Sequence, residues 1–336
     1  MSIKRLFVSA ASAAVLATVG VAGARAEVDH ITVAEQYGVS YLPLMIMQQE
    51  KLIQKAAAAE GVKNLKVTWV KFAGGGVMNE ALLSDSLQFA SGGVGPLVIL
   101  WAKTRDNYHV KGVSAINSMP LLLNTNNPNV HSIKDFTSKD KIALPGVKVS
   151  IQAVTLEMAA AKAFGFAHYA KLDPLTVTMS HPDAMAAMAS GGVDAHFGSP
   201  PFQELELKMK GVHTVLNSFD VLGGPATFNL IWARQSFYKK NPKVYKAFVT
   251  ALDESIAKIN KDKTWAAKQY LKFTHDKRDS LADIVDILNN PQIKFTTTPL
   301  HVMKYVRFLN KIGTIHADPK SWKDLFFPNV HNLPGS

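Results

Sequence analysis

Strand-like and helical patterns of apolar residues alternate along this chain. Residues 31–35 form a short β-rich run, residues 42–59 show helical spacing, and residues 65–72 alternate between polar and apolar at period two. A glycine-rich break then precedes another helical stretch, residues 77–83. This order of strand, loop and helix predicts a mostly parallel α/β sheet with helices on its faces.

The same unit recurs further along the chain, where each strand-like run leads through a Gly-, Ser- or Pro-rich loop into a helix. These strand-like runs are residues 87–90, 141–144 and 193–197. The clearest of the helices that follow spans residues 151–164. Beyond Asn241 the pattern is mainly helical, with helices predicted to end near residues 259, 273 and 312.

The N-terminus has the pattern of a secretory signal peptide. Lys4 and Arg5 precede an apolar, Ala-rich stretch that ends in small residues at positions 24–26, so we expect cleavage after Ala26. A membrane anchor is the alternative, but serine, threonine and glycine residues interrupt the stretch. The mature protein is therefore expected to be exported and free of the membrane.

The mature chain is long enough for two lobes. About 310 residues remain after cleavage, more than the ~250–300 at which a single core usually divides. Residues 121–128 look like a strand that leaves the first lobe, and residues 228–233 like one that returns to it. We predict that lobe I comprises residues 27–117 and 225–336 and that lobe II, residues 118–224, is inserted between them.

Charge and cysteine content exclude several classes of protein. The net charge is +11, but Lys4, Arg5 and Arg25 belong to the leader and the other basic residues are dispersed. A nucleic-acid groove needs a concentrated basic stripe, so no nucleic-acid partner is expected. With no cysteine in the chain, disulfides, thiolate chemistry and lipidation of a cysteine are all excluded.

Motifs for catalysis or metal binding are absent from the sequence. The eleven histidines are scattered, with none at the spacing of a metal site. The Gly-x-Ser-x-Gly motif, the P-loop and the dinucleotide fingerprint are not found. We therefore expect neither an enzyme nor a bound metal or cofactor, and predict no catalytic residue.

The loops at the strand ends are the candidate ligand site. Ligands of open α/β sheets bind outside the carboxyl ends of strands, and N–H groups at helix starts favour an anionic or strongly polar head group. The alternative is that the glycines and serines there are only turn and cap residues. The candidate ligand-binding residues are Tyr37, Gly38, Ser40, Tyr41, Gly74, Gly75, Gly76, Gly93, Lys148, Ser150, Ser199, Pro200 and Phe202.

Fixed charge is sparse in these loops, which narrows the ligand class. Lys148 is the one fixed cation, and His181 is a second candidate. A doubly charged ligand would normally require an arginine clamp. The sequence thus predicts a singly charged or neutral, partly apolar small molecule.

Several segments resemble the nitrate/sulfonate/taurine group of periplasmic solute-binding proteins, which also contains binders of thiamine-precursor pyrimidines. The resemblance covers nearly all of the mature chain, and residues 183–195, a helix, a tight turn and Val-Asp-Ala, are its most specific part. The other segments that carry it are Pro182 and residues 31–38, 42–47, 72–76, 80–82, 133–136, 141–146 and 241–248.

The resemblance implies a type II periplasmic-binding fold, with two α/β lobes joined by two crossing strands and a ligand cleft between them. It further implies a periplasmic protein that closes on its ligand by a hinge and delivers it to the membrane permease of an ABC importer. Family members contact ligand through loops that match residues 38–41 and 74–76, Ser150, and residues 199–200. We expect the protein to act as a monomer.

The sequence does not decide the identity of the ligand or the biological role of the protein. The leading hypothesis is a small organic anion, such as a sulfonate, a taurine-like compound, nitrate or a carboxylate. The first alternative is a neutral thiamine-precursor pyrimidine or another heteroaromatic compound, held between Tyr37, Tyr41 and Phe202. The second is a ligand-sensing domain for a membrane signalling partner, which would use the same cleft.

Overall fold

The computed structural model of the protein describes residues 27–336. The predicted signal peptide, residues 1–26, and its cleavage site lie outside the described residues. Within the described part of the chain, no helix combines the length and apolar composition needed to cross a membrane.

Strands and helices alternate through the first two thirds of the described chain, and helices dominate the rest. The strands are β1 His30–Glu35, β2 Lys66–Lys71, β3 Ala90–Gly93, β4 Val110–Ala115, β5 Asn117–Ser118, β6 Leu122–Thr125, β7 Ile142–Leu144, β8 Thr176–Thr178, β9 Ala195–Phe197, β10 His213–Asn217, β11 Asn229–Arg234 and β12 Lys294–Phe295. The helices are α1 Leu42–Gln49, α2 Leu52–Ala59, α3 Gly75–Leu83, α4 Val94–Lys103, α5 Ile151–Phe164, α6 His181–Ala189, α7 Phe202–Glu206, α8 Ser218–Leu222, α9 Gln235–Lys240, α10 Pro242–Lys261, α11 Lys263–Thr274, α12 Leu281–Asn289 and α13 Val302–Lys311.

Two groups of strands form the cores of two lobes. In the first, β1 pairs in parallel with β2, and a parallel bridge between Val33 and Phe89 connects β1 to the sheet β3-β11-β4. In the second, five strands follow the order β10-β6-β9-β7-β8. We call these lobe I and lobe II. A separate antiparallel pair, β5 with β12, lies outside both groups. The α/β architecture of the two groups confirms the predicted fold class, whereas the exact lobe boundaries stay a prediction.

The predicted helix over residues 42–59 is wrong in one respect, because the structure divides it into α1 and α2. Lys51 adopts a left-handed backbone conformation, with φ of 53°, between the two helices. A right-handed helix cannot continue through such a residue. The apolar pattern persists across the break because both short helices bury residues against the same core, including Ile46 and Ile53.

The C-terminal helices cover lobe I and also reach lobe II. Helix α10 is amphipathic and packs on α1 and α2, with Phe248 stacked on Phe89 at a ring centroid distance of 3.8 Å. In α13, the hydroxyl of Tyr305 lies 3.0 Å from that of Thr155 in α5 of lobe II. The C-terminal segment is therefore part of the structure that joins the lobes.

A buried polar cluster lies where the chain crosses between the lobes. Asn117 Nδ2 donates to the carbonyl of Ser40 at 2.7 Å, and Asn117 Oδ1 accepts from the backbone N–H of Asn229 at 3.1 Å. Asn229 Nδ2 in turn donates to Ser40 Oγ at 3.0 Å. These three fully buried residues connect both crossing segments to the loop after β1, so we call them the hinge cluster.

Replacing Asn117 with alanine should lower the free energy of unfolding by about 2–4 kcal/mol, because two buried backbone groups each lose a hydrogen-bond partner. Chemical denaturation of the wild-type and Asn117→Ala proteins measures the difference. The matched control is Asn107→Ala, an exposed asparagine, which should change the stability by less than about 0.5 kcal/mol. Equal effects of the two substitutions would contradict the role assigned to the hinge cluster.

Candidate ligand-binding site

The loops at the carboxyl ends of five strands meet between the lobes and enclose a cavity, which we call the cleft. Strands β1, β2 and β3 supply its lobe I side, and β7 and β8 its lobe II side. The residues that line the cleft are Gln36, Tyr41, Gly75, Gly93, Pro96, Pro145, Ser150, Ile151, Gln152, His181, Phe228 and Asn229. The last two come from the returning crossing segment.

The cleft is small in this conformation. Its free volume is about 10 Å³, close to the space of one water molecule. Binding sites for small organic molecules usually have volumes of about 300–1,000 Å³. The lobes are therefore closed upon one another, and a ligand can enter only if they move apart.

Glycines allow the lobe I backbone to approach lobe II this closely. A Cβ at Gly93 would lie 2.5 Å from Ile151 Cγ2, and one at Gly95 would lie 2.7 Å from the Val149 carbonyl oxygen. A Cβ at Gly74 would overlap the carbonyl oxygen of Pro145. Each of these contacts joins lobe I to lobe II, so a side chain at any of the three positions would separate the lobes.

The loop after β1 makes a direct backbone contact with lobe II. The N–H of Val39 donates to the carbonyl of Pro200 at 3.1 Å. Gly38 has φ of 102°, and a Cβ there would lie 2.6 Å from the same carbonyl oxygen. A glycine is required at this position both for the backbone conformation and for the close approach.

Four helices begin at the cleft, and those of lobe I lack a capping side chain. The N-caps of α5 and α6 are Ser150 and Ser180, whose hydroxyl groups accept from first-turn N–H groups. The N-caps of α3 and α4 are Gly74 and Gly93, which have no side chain to accept a hydrogen bond. First-turn N–H groups and the positive ends of four helix dipoles therefore face the same small space.

The polar side chains of the cleft are neutral. Burial raises the pKa of Tyr41 well above its usual value, so the phenol keeps its proton. Burial and the adjacent His196 lower the pKa of His181 well below its usual value, so the imidazole is uncharged. His181 is therefore not the second cation that the sequence suggested. Asn229 Oδ1 is buried and accepts no hydrogen bond within the described residues, and the Asn229 amide lies beside the Tyr41 hydroxyl.

Fixed positive charge lies away from the cleft. Of the described residues that line it, none is lysine or arginine. Lys148 is exposed and interacts with Glu157 and Asp173. Burial raises the pKa of Glu157 to about 8, an effect that Asp173 strengthens and Lys148 opposes. The role of Lys148 as a ligand contact stays a prediction, and the site is described below without it.

The structure brings four of the predicted site residues into the lining of the cleft: Tyr41, Gly75, Gly93 and Ser150. Four others, Gly38, Gly74, Gly76 and Pro200, lie where the two lobes touch. For these residues the structure shows contacts between lobes, and direct contact with a ligand remains a prediction.

The remaining predicted residues lie beside the cleft. Ser40 belongs to the hinge cluster, and Ser199 Oγ is buried without a hydrogen-bond partner. Phe202 stacks on His181 with a centroid distance of 5.7 Å. Tyr37 lies beneath the ammonium group of Lys71, 5.2 Å from the ring centroid. Tyr37, Tyr41 and Phe202 therefore do not jointly line the cleft in this closed conformation.

Sequence reasoning missed half of the polar lining. Gln36, Gln152 and Asn229 were not predicted, although Gln36 and Gln152 each lie within two residues of one that was. Neither glutamine nor asparagine marks a ligand site by its residue type alone, and asparagine is common in turns for backbone reasons. His181 stood in a loop already singled out, but its partner His196 lies on β9 and is brought close only by the fold.

The described residues contain no group of three or more histidine, aspartate or glutamate side chains placed to hold a metal ion. The site consists instead of backbone N–H groups, amides, a phenol and an imidazole. Such groups can orient and hydrogen-bond a small polar molecule.

A buried carboxyl group lies at the end of β1, close to the cleft. Glu35 is 3 % exposed, and its Oε2 has no hydrogen-bond partner. Burial raises its pKa from 4.5 to about 7, although Lys71, 3.4 Å away, opposes the shift. Because the folded protein holds this proton more tightly than the unfolded chain, Glu35 stabilises the fold at low pH, and this contribution is lost as the pH rises towards 7.

Glu35→Gln should remove this pH dependence. Relative to the wild type, the variant should gain about 2–4 kcal/mol of unfolding free energy between pH 4 and pH 8. Denaturant unfolding at both pH values measures it. Glu80→Gln, at an exposed glutamate, is the control and should show no comparable gain. If the difference in unfolding free energy between Glu35→Gln and the wild type were the same at both pH values, the raised pKa of Glu35 would be contradicted.

Gly74→Ala should hold the lobes apart, because the new Cβ would overlap the Pro145 carbonyl oxygen. Gly74 has an extended backbone, with φ of −163°, which alanine also adopts, so the effect is steric. Small-angle scattering should show a larger radius of gyration than for the wild type. Gly146→Ala is the matched control, since a Cβ there meets nothing closer than 3.9 Å. An unchanged radius of gyration for Gly74→Ala would show that the contact between Gly74 and Pro145 does not determine how far apart the lobes lie in solution.

Solved structures of periplasmic binding proteins resemble this fold closely. The alkanesulfonate-binding protein SsuA from Xanthomonas axonopodis pv. citri, bound to MOPS, matches with a TM-score of 0.68 and 19% identity over 85% of this chain and 93% of its own. The aliphatic sulphonate-binding SsuA from Escherichia coli matches with a TM-score of 0.63 and 18% identity over 89% of this chain and 92% of its own. The nitrate-binding protein NrtA from Synechocystis PCC 6803 matches with a TM-score of 0.68 and 14% identity over 89% of this chain and 85% of its own.

These likenesses confirm the type II periplasmic-binding fold. No curated protein matches the sequence significantly. The family model described as "NMT1/THI5 like" matches residues 63–264, which is more than half of the chain. That range begins just before β2, includes all of lobe II and the returning crossing segment, and ends at α11. It confirms the resemblance seen in the sequence: the chain belongs to the NMT1/THI5-like family.

Proposed function

We propose that this protein is the ligand-capturing component of an ABC-type importer and that it binds a small organic anion in the cleft by hinge closure. The observation that carries the proposal is the meeting of four helix N-termini at the cleft, two of them with glycine N-caps. Uncapped first-turn N–H groups and aligned helix dipoles bind an anionic head group without a fixed cation. A sulfonate, a taurine-like compound, nitrate or a carboxylate all present such a head group.

The structural neighbours support this proposal. Two are described as sulfonate-binding and one as nitrate-binding, and another, from Staphylococcus aureus, as the ligand-binding component of an ABC-type import system. On this proposal the protein works in the periplasm as a monomer, and its closed, ligand-loaded form docks on a membrane permease.

A neutral heteroaromatic ligand is the second candidate. Tyr41 and Phe228 both line the cleft, and their rings offer apolar faces for stacking. A thiamine-precursor pyrimidine would use these faces together with the neutral amides of Gln36, Gln152 and Asn229. A ligand-sensing role would use the same cleft but a signalling partner in place of a permease.

A thermal-shift screen of the purified protein tests the proposal. The panel contains propane-1-sulfonate, taurine, isethionate, nitrate, acetate and an aminopyrimidine, each far above the expected Kd. A ligand at 100 times its Kd stabilises the folded state by about 2.7 kcal/mol, so we expect a clear rise in melting temperature with at least one organic anion. A shift with the aminopyrimidine alone would overturn the anion proposal in favour of the second candidate, and silence across the panel would overturn both.

The Lys148→Ala variant tests whether the helix N-termini or a lysine side chain supplies the positive charge that binds the anion. Lys148 is exposed and does not line the cleft, and its charge acts on Glu157 and Asp173, so we expect the same thermal shift as in the wild type. A markedly smaller shift with the anions would instead support the sequence prediction that Lys148 contacts the ligand. It would also show that the helix N-termini alone do not account for binding of the anion.

A further inference from the structure

A second cavity lies between α7 of lobe II and α12. Its free volume is about 260 Å³, large enough for a molecule of several heavy atoms, since a water molecule occupies about 30 Å³ in the liquid. Its lining shares no residue with that of the cleft, and we call it the side cavity. The residues that line it are Glu204, Leu205, Lys208, Asp279, Asp283, Asp286, Ile287 and Asn290.

The lining of the side cavity is acidic, although the chain as a whole carries a net charge of +11. Four of the eight lining residues are aspartate or glutamate, and one is lysine. Lys208 Nζ pairs with Asp283 Oδ1 at 2.7 Å, and Asp283 also accepts from the backbone N–H of Ser280 in the capping box of α12. The one lysine and the helix cap thus account for Asp283, but not for the other carboxyl groups.

Three buried carboxyl oxygens of the side cavity accept no hydrogen bond within the described residues. They are both oxygens of Asp279, a residue that is 7 % exposed, and Oε2 of Glu204. Glu204 Oε1 accepts from Gln203 Nε2 at 2.9 Å, so only half of that carboxyl group is paired. Buried carboxylates are normally hydrogen-bonded or paired with a cation. Glu204 and Asp279 together therefore offer a place for a cationic donor.

The two carboxyl groups belong to different lobes. Glu204 lies in α7, which packs on α6 and β6 of lobe II. Asp279 directly precedes Ser280, the N-cap of α12, and α12 packs on α11, which in turn packs on α1 of lobe I. The ion pair of Lys208 with Asp283 crosses the same boundary. A ligand that contacts both Glu204 and Asp279 would add another connection between the lobes.

The composition of the lining favours an organic ammonium group over a metal ion. No three histidine, aspartate or glutamate side chains in the described part of the chain are placed to hold a metal. An ammonium group needs no such compact shell, because its three N–H donors can reach separate oxygens. Leu205 and Ile287 provide apolar surface beside the carboxyl groups, and a short alkyl chain gains free energy when it is buried against such surface.

We propose that the side cavity is a second ligand site, which binds a small primary amine through hydrogen bonds from its ammonium group to Glu204 and Asp279. The alkyl chain would lie along Leu205 and Ile287. This inference goes beyond the proposed function and does not depend on what the cleft binds. Occupation of the side cavity would connect lobe II to the helices that cover lobe I and would thereby favour the closed arrangement.

Binding of an ammonium group at this site should depend on pH. Burial raises the pKa of Glu204 to about 7 and the pKa of Asp279 to about 6. Both groups therefore lose their protons as the pH rises through these values, and we expect an amine to bind at least about tenfold more tightly at pH 8 than at pH 5. The other titratable and charged groups that face the pair are Glu206, Lys208, Tyr270, Asp276, Arg278 and Asp283.

Calorimetry with n-butylamine at pH 8 tests the inference. We expect saturable binding of one equivalent with a millimolar Kd or tighter. The controls are 1-butanol, which has the same chain without the charge, and tetramethylammonium, which has the charge without an N–H donor. Each control should bind at least about tenfold more weakly. Failure of n-butylamine to bind, or equal binding of either control, would overturn the inference, and so would displacement of n-butylamine by equimolar Mg²⁺.

The Asp279→Asn variant locates the bound amine. The substitution removes one negative charge at nearly constant shape, so the affinity for n-butylamine at pH 8 should fall at least about tenfold. Asp106→Asn, at an exposed aspartate outside the side cavity, should bind as the wild type does. Unimpaired binding by Asp279→Asn would overturn the inference. If that variant fails to fold, the wild-type pH profile decides, because equal affinities at pH 5 and pH 8 would overturn it as well.

Discussion

The close approach of backbone to backbone between the lobes is the constraint on which the rest of the structure depends. At Gly74, Gly93 and Gly95 a single added carbon would collide with lobe II. Only because these positions lack a Cβ can the strand-end loops of both lobes enclose one small cavity. Because of this contact, the helix N-termini and the crossing segments share a common, largely buried environment, in which hydrogen bonds gain strength.

Closure of this kind demands that the buried polar groups of the hinge be satisfied. Asn117, Ser40 and Asn229 do this for one another and for the backbone of both crossing segments. Each residue is anchored by main-chain partners, so the cluster limits how the lobes can rotate. Asn229 also lines the cleft. The cluster that limits the rotation of the lobes is therefore in direct contact with the cavity.

Much of the fold could be predicted from the sequence, because strand-end glycines and helical spacing are local signals. Residues 151–164 were predicted as a helix and form α5 with those bounds. The break at Lys51 could not be predicted, since a left-handed lysine has no marker in composition or spacing. The glycine-rich loops lie around the cleft, yet several of their glycines serve contact between lobes. Local sequence does not distinguish a glycine that faces a ligand from one that faces another loop.

The chemistry of the site could not be predicted from spacing in the sequence. His181, His196 and Glu206 come from α6, β9 and α7, so no spacing relates them. In the fold they form a buried, hydrogen-bonded series that begins at Asn124 and ends at His181 in the lining of the cleft. The carbonyl of Gln203 can only accept, so it fixes the orientation of the Asn124 amide at the inner end of this series. The surroundings of a cleft residue are thus set in part by the core of lobe II, and the local sequence around position 181 does not reveal them.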